Sequence, residues 1–153
     1  MKFNKLTSAM VLGLGLSASA FAADFTGNAN VTLLTAISFV EVDAVEFGQF
    51  ENADGTCTMA SGAVLSGVCA SATGTINDAD ITVTAEPNTT VNVAVSGGTT
   101  DNGVTFTPVL DSSATPTTDG SGNTSVTVIG SLNFASATNG AHNMTYTLSV
   151  NYQ

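Results

Sequence analysis

From Met144 to Tyr152 every second residue is apolar: Met144, Tyr146, Leu148, Val150 and Tyr152, with Thr145, Thr147, Ser149 and Asn151 between them. A period of two puts alternate side chains on opposite faces of an extended chain, so this run predicts a β-strand with one apolar face. It continues to the end of the sequence, where a frayed polar tail is more usual. A strand of this kind needs a partner to cover that face.

The same period recurs upstream. "ITVTA" alternates Ile81, Val83 and Ala85, and "VNVAV" alternates Val91, Val93 and Val95. "VTFTPVL" carries Val104 and Phe106, with Leu110 beyond Pro108, and "SVTVIGSLNF" carries Val126, Val128, Leu132 and Phe134. Turn-forming stretches separate them: "EPNT", "SGGTTDNG", "TTDGSGN" and "SATNG". No amphipathic helix interrupts the pattern, and Thr, Val, Ser, Asn and Gly prevail where a helix would need Leu, Glu, Lys or Arg. The expectation is one all-β domain, a sandwich or barrel of many short strands. Pro108, without an N–H, suits an edge strand or a strand end. Residues 51–75, rich in Gly, Ala and Ser, read as a loop or irregular hairpin.

The first 22 residues read as an export signal. Lys2 and Lys5 precede an apolar run over Leu6–Leu16, and "ASAFA" supplies small residues for cleavage before Ala23. The run is too short to span a bilayer. From Ala23 onward the chain has no Lys and no Arg against twelve Asp and Glu. That excludes nucleic acid as a partner, because nothing can neutralise phosphates. It also argues against anionic membrane surfaces. In an exported chain the two cysteines, Cys57 and Cys69, are expected to form a disulfide.

"DFTGNANVTLL" repeats the two-residue period at the other terminus, with Phe25, Gly27, Ala29, Val31 and Leu33 in one row. The aromatic Tyr152 in second-last place, the alternating run before it, Gly140 fourteenth from the end, "VNYQ", "EFGQF" at 46–50 and "FTGNANVTLL" together resemble the structural pilins of bacterial chaperone–usher fimbriae. The likeness is to archaic, spore-coat-protein-U-like subunits in particular. It implies an immunoglobulin-like β-sandwich over residues 36–153 that lacks its last strand. Residues 23–35 would be a donor-strand extension that fills the gap of the next subunit. Phe25, Gly27, Ala29, Val31 and Leu33 would then be the donor row. Gly140, Met144, Tyr146, Leu148, Val150 and Tyr152 would form the groove wall on which a periplasmic chaperone docks. The implied partners are further copies of the chain, that chaperone and an outer-membrane usher, and the implied destination is a filament at the cell surface. Many pilins carry a cysteine soon after the extension, whereas residues 24–56 here have none. The Cys57–Cys69 pair is therefore expected to staple a loop.

The residues suggest no catalyst and no cofactor. His142, the single histidine, lies in the turn-like "NGAHN" and reads as a solvated loop residue without the motif of a nucleophilic site. Glu41 with Asp43, and Asp78 with Asp80, read as pairs on a solvated acidic face, not as a glycosidase pair. "NADG" and "DGSGN" offer oxygen ligands but no EF-hand spacing, so no metal site is expected. Three readings remain at this level: a polymerising fimbrial subunit supporting surface attachment, a secreted monomeric binding or matrix module, and a small hydrolase that the inventory nearly excludes.

Overall fold

A computed structural model describes residues 28–153. Phe25, Gly27 and the expected export signal lie outside the described residues. The described chain is all-β, with eleven strands: β1 (Ser38–Asp43), β2 (Glu46–Gln49), β3 (Gly55–Ala60), β4 (Val64–Gly67), β5 (Thr73–Asn77), β6 (Ala79–Thr84), β7 (Val91–Ser96), β8 (Thr100–Asp101), β9 (Val104–Leu110), β10 (Asn123–Phe134) and β11 (Thr147–Tyr152). None of its residues forms a helix long and apolar enough to cross a membrane.

β10 organises the larger layer, an antiparallel seven-stranded sheet. Its first half pairs with β6, and β6 pairs with β1. Its second half pairs on the same edge with β3, and β3 pairs with β4. β9 runs along the opposite edge and carries β8. Pro108 faces Gly130 of β10 beyond the reach of β8, so its missing N–H falls on the free edge of β9, as expected for proline. The smaller layer is the antiparallel pair β7–β11. β2 and β5 form a separate ribbon that extends the β1–β6 pairing past a kink.

The alternation read from the sequence becomes burial. Ile81 and Val83 of β6, Val126 and Val128 of β10, and Val91 and Val93 of β7 interleave as one fully buried cluster between the layers. A second cluster joins Phe47, Met59, Val104, Phe106, Leu132 and Phe134 around the disulfide. Val45 and Tyr146 pack against both. Gly130 faces Phe106 so closely that a Cβ there would stand 2.7 Å from the ring.

Of the two expectations for residues 51–75, the hairpin holds and the loop does not: β3 and β4 pair antiparallel, and the start of β5 follows. Cys57 and Met59 are the inward residues of β3, and the disulfide joins Cys57 to Cys69 just beyond β4, with Cα atoms 5.2 Å apart. Once Cys57 counts as an apolar inward residue, "TCTMA" has the two-residue period of any other strand.

Candidate functional site

The smaller layer is sealed on one side and open on the other. Along the outer edge of β7, the Val91 N–H donates to the Pro116 carbonyl (3.0 Å) and the Val93 N–H to the Ala114 carbonyl (2.8 Å). Thr118, buried beneath this segment, donates its hydroxyl to the Glu86 carbonyl (2.6 Å) and accepts the Thr89 N–H (3.0 Å). β11 has β7 on one edge, and no described strand pairs with the other. Unpaired ladder groups are what a further strand requires.

The larger layer shows the same gap from below. Cross-strand partners share a face, and Phe39 and Glu41 of β1 pair with Val83 and Ile81, both buried. Phe39 and Glu41 therefore lie on the inner face. Phe39 is nevertheless 48 % exposed, and Glu41 is exposed as well, because no strand of the second layer covers them. On the other side of the gap Leu148, Val150 and Tyr152 of β11 pair with Val95, Val93 and Val91, so they too face inward, and they are half-buried.

Toward β2 the gap widens into a cleft of about 1450 Å³. Val104, Phe106, Leu132 and Phe134 line its depth, Phe47 and Phe50 one wall, and Met144 and Tyr146 the other. The walls and floor meet edge to face: Phe47 on Phe106 (ring centroids 6.0 Å apart), Phe106 on Tyr146 (6.0 Å) and Phe50 on Phe134 (5.5 Å). One end is strapped across. The Asn52 side-chain amide donates to the Ala137 carbonyl (2.7 Å) and to Asn139 Oδ1 (2.9 Å), and the Ser136 N–H donates to Asp54 Oδ1 (2.7 Å). At the opposite end of the gap the Tyr152 hydroxyl donates to the Thr35 carbonyl and accepts the Glu86 N–H (2.8 Å). Thr35 in turn donates its hydroxyl (2.6 Å) and N–H (3.0 Å) to Glu86 Oε2. Those two bonds, hydroxyl first, hold the Glu86 carboxyl below its ordinary range. Burial, then the nearby Glu41 carboxylate, holds the Tyr146 hydroxyl above the usual phenol range.

No family model, no curated protein and no solved structure matches this chain.

The six residues expected to form a groove wall all border the gap. Gly140, Met144 and Tyr146 line the cleft, and Leu148, Val150 and Tyr152 border its extension along β11. The strand is shorter than the alternation predicts, starting at Thr147 and not at Met144. Before it, the backbone is held mainly at Thr145, whose carbonyl accepts the Thr99 N–H (3.0 Å) and whose N–H donates to Thr99 Oγ1 (2.8 Å). Of the expected donor row, Phe25 and Gly27 lie outside the described residues. Ala29, Val31 and Leu33 are exposed and belong to no strand, with Val31 at 82 % and Leu33 at 85 %.

Two acidic and imidazole readings are corrected. Glu41 and Asp43 do not share a face: a bulge between them pairs Glu41 with Ile81 but Asp43 with Asp80, the next residue along, which turns the two carboxylates to opposite sides. His142 is not a solvated loop residue. Its side chain is only 14 % exposed, Nε2 lies 2.8 Å from the Thr138 carbonyl, and Nδ1 lies 3.5 Å from Asp101 Oδ2. Among the described residues no three His, Cys, Asp or Glu side chains gather as a metal site. The aromatic wall of Phe47 and Phe50 has no site signature of its own in the sequence beyond the alternation of Val45 and Phe47 about Glu46, which marks a strand.

Proposed function

We propose that this chain is the structural subunit of an extracellular filament and polymerises by donating an N-terminal strand to the gap of the next copy. The observation that carries this reading is the pairing of an unpartnered β11 edge with an exposed inner face on β1. Together they leave room that one further strand would fill. The row Phe25, Gly27, Ala29, Val31 and Leu33 has the period such a strand needs. Burial of Phe25, Val31 and Leu33 in a neighbour would each contribute roughly 1.5–3 kcal/mol, and the new ladder would satisfy the open edge. The contact joins two different surfaces and does not close on itself, so it propagates as a fibre. This reading matches the resemblance to chaperone–usher pilins. The fold is then an incomplete immunoglobulin-like sandwich. A periplasmic chaperone covers the gap before export, an usher guides the exchange, and the filament serves surface attachment, with no catalytic role.

The test is negative-stain microscopy of cells producing the full chain or a chain lacking residues 24–33. The full chain should give surface filaments, and the deletion should give none while its protein still accumulates. Filaments of normal length from the deletion would refute strand donation and favour a self-contained secreted module.

A further inference from the structure

Ile37 just before β1 is followed by Phe39 and Glu41 on the inner face of the strand, so the row ends in a carboxylate where the layer calls for an apolar side chain. Glu41 lines the mouth of the cleft beside Tyr146, at the point where the gap along β11 opens into the wider space below. It is exposed in the open subunit. A strand laid in the gap would cover it, and covering a carboxylate penalises its charged form unless a cation or a hydrogen-bond donor compensates.

The occupant inferred above cannot supply a cation. Residues 24–33 contain one charge, Asp24, and beyond Lys5 the whole chain contains neither Lys nor Arg. The other titratable groups lining the cleft are Glu46 and Glu51, His142 and Tyr146. His142 Nδ1 lies beside Asp101, and its Nε2 is directed at the Thr138 carbonyl. Ile81, opposite Glu41 on β6, is apolar, and Asp43 is turned to the other face by the bulge. The row that would face Glu41, Phe25, Gly27, Ala29, Val31 and Leu33, carries no side-chain hydrogen-bond donor, so a proton is the available means of neutralising Glu41 beneath a seated strand.

We infer that seating a donor strand from a second copy is coupled to proton uptake at Glu41, so that assembly is promoted by acid. The inference rests on the strand-donation reading. Acid has no opposing effect from positive charge in this chain, since protonating its carboxylates leaves it close to neutral and does not make it strongly cationic.

The experiment measures the critical concentration for assembly of the purified full chain by sedimentation from pH 8 to pH 4. Added salt at roughly 0.5 M shortens the Debye length to a few ångströms and screens repulsion between subunits. Glu41→Gln and Asp43→Asn are compared with the unaltered chain. The unaltered chain should assemble more readily as pH falls, by up to about tenfold per pH unit where one proton is taken up. Glu41→Gln should assemble at pH 8 as the unaltered chain does in acid, with a flat profile. Asp43→Asn, one bulge away on the opposite face, should keep the original slope. A Glu41→Gln profile as steep as that of the unaltered chain, or a flat profile for the unaltered chain, overturns the coupling and leaves strand donation standing. Absence of assembly by all three chains at every pH overturns strand donation, and the coupling with it.

Discussion

Val83 and Phe39 are cross-strand partners on one face of one sheet, yet Val83 is fully buried and Phe39 is about half exposed. Over Val83 lies β7, sealed on its far side by residues 114–118. Over Phe39 lies the empty position beside β11. Both residues obey the same alternation, so alternation determines which way a side chain points but not whether anything lies above it. The difference between the closed and open halves belongs to the second layer, and it can be measured.

The largest contrast should come from Phe39→Ala. In the unfused chain the ring is already half solvated, and its loss should cost about 1 kcal/mol. In a chain whose residues 24–33 are deleted and re-attached through a flexible linker after Gln153, the ring should be covered, and the same change should cost about 3 kcal/mol. Chemical denaturation of both backgrounds measures the two values, and equal costs would show that the added strand does not lie over β1. Val126→Ala serves as the control from the closed half. It should cost about 2 kcal/mol in either background, because β7 covers Val126 in both.

A smaller effect is expected at the end of the gap. Tyr152→Phe removes the hydroxyl shared by the Thr35 carbonyl and the Glu86 N–H, and should cost about 1 kcal/mol. A loss confined to this level, with assembly unchanged, would mark the hydroxyl as a local tie and not as part of the docking edge. The smallest effect concerns pH. The folded Glu86 carboxyl titrates below its unfolded counterpart, so its contribution to stability is present above the unfolded value and disappears as pH falls through the folded one. The group is solvent-exposed, so the effect should show as a depressed carboxyl titration in NMR, returned to the ordinary range by Thr35→Ala with little change in overall stability.

The sequence was informative wherever residue type and direction coincide. The strands around Ile81, Val91, Val104 and Val126, the edge position of Pro108 and the Cys57–Cys69 disulfide could all be read from period, turn residues and cysteine count. Residues 51–75 were legible only as a choice between a loop and an irregular hairpin: the hairpin is what forms, but its strand limits were hidden, because the inward residues of β3 include a cysteine and the neighbouring glycines blur the period. The face of Glu41 was hidden for another reason. Counting by twos from Glu41 places Asp43 beside it, and only the bulge, set by how β1 meets β6, separates them. The cleft was half visible: Met144 to Tyr152 marked one wall, but the opposite wall of Phe47 and Phe50 comes from a segment nearly a hundred residues away and needs the tertiary pairing to find it.

Strand donation requires that one strand be missing from the second layer and that residues 24–33 fit its place. The direct measurement is the thermal midpoint of the chain lacking these residues against the same chain with them fused after Gln153, each checked for size by gel filtration. At the high effective concentration of a tethered strand, the fusion should remain monomeric. It should melt about 10 °C or more above the deletion, equivalent to a gain of roughly 3 kcal/mol. A fusion that melts with the deletion, its added segment freely digested, would contradict the account and leave β11 as the finished edge of a self-contained sandwich.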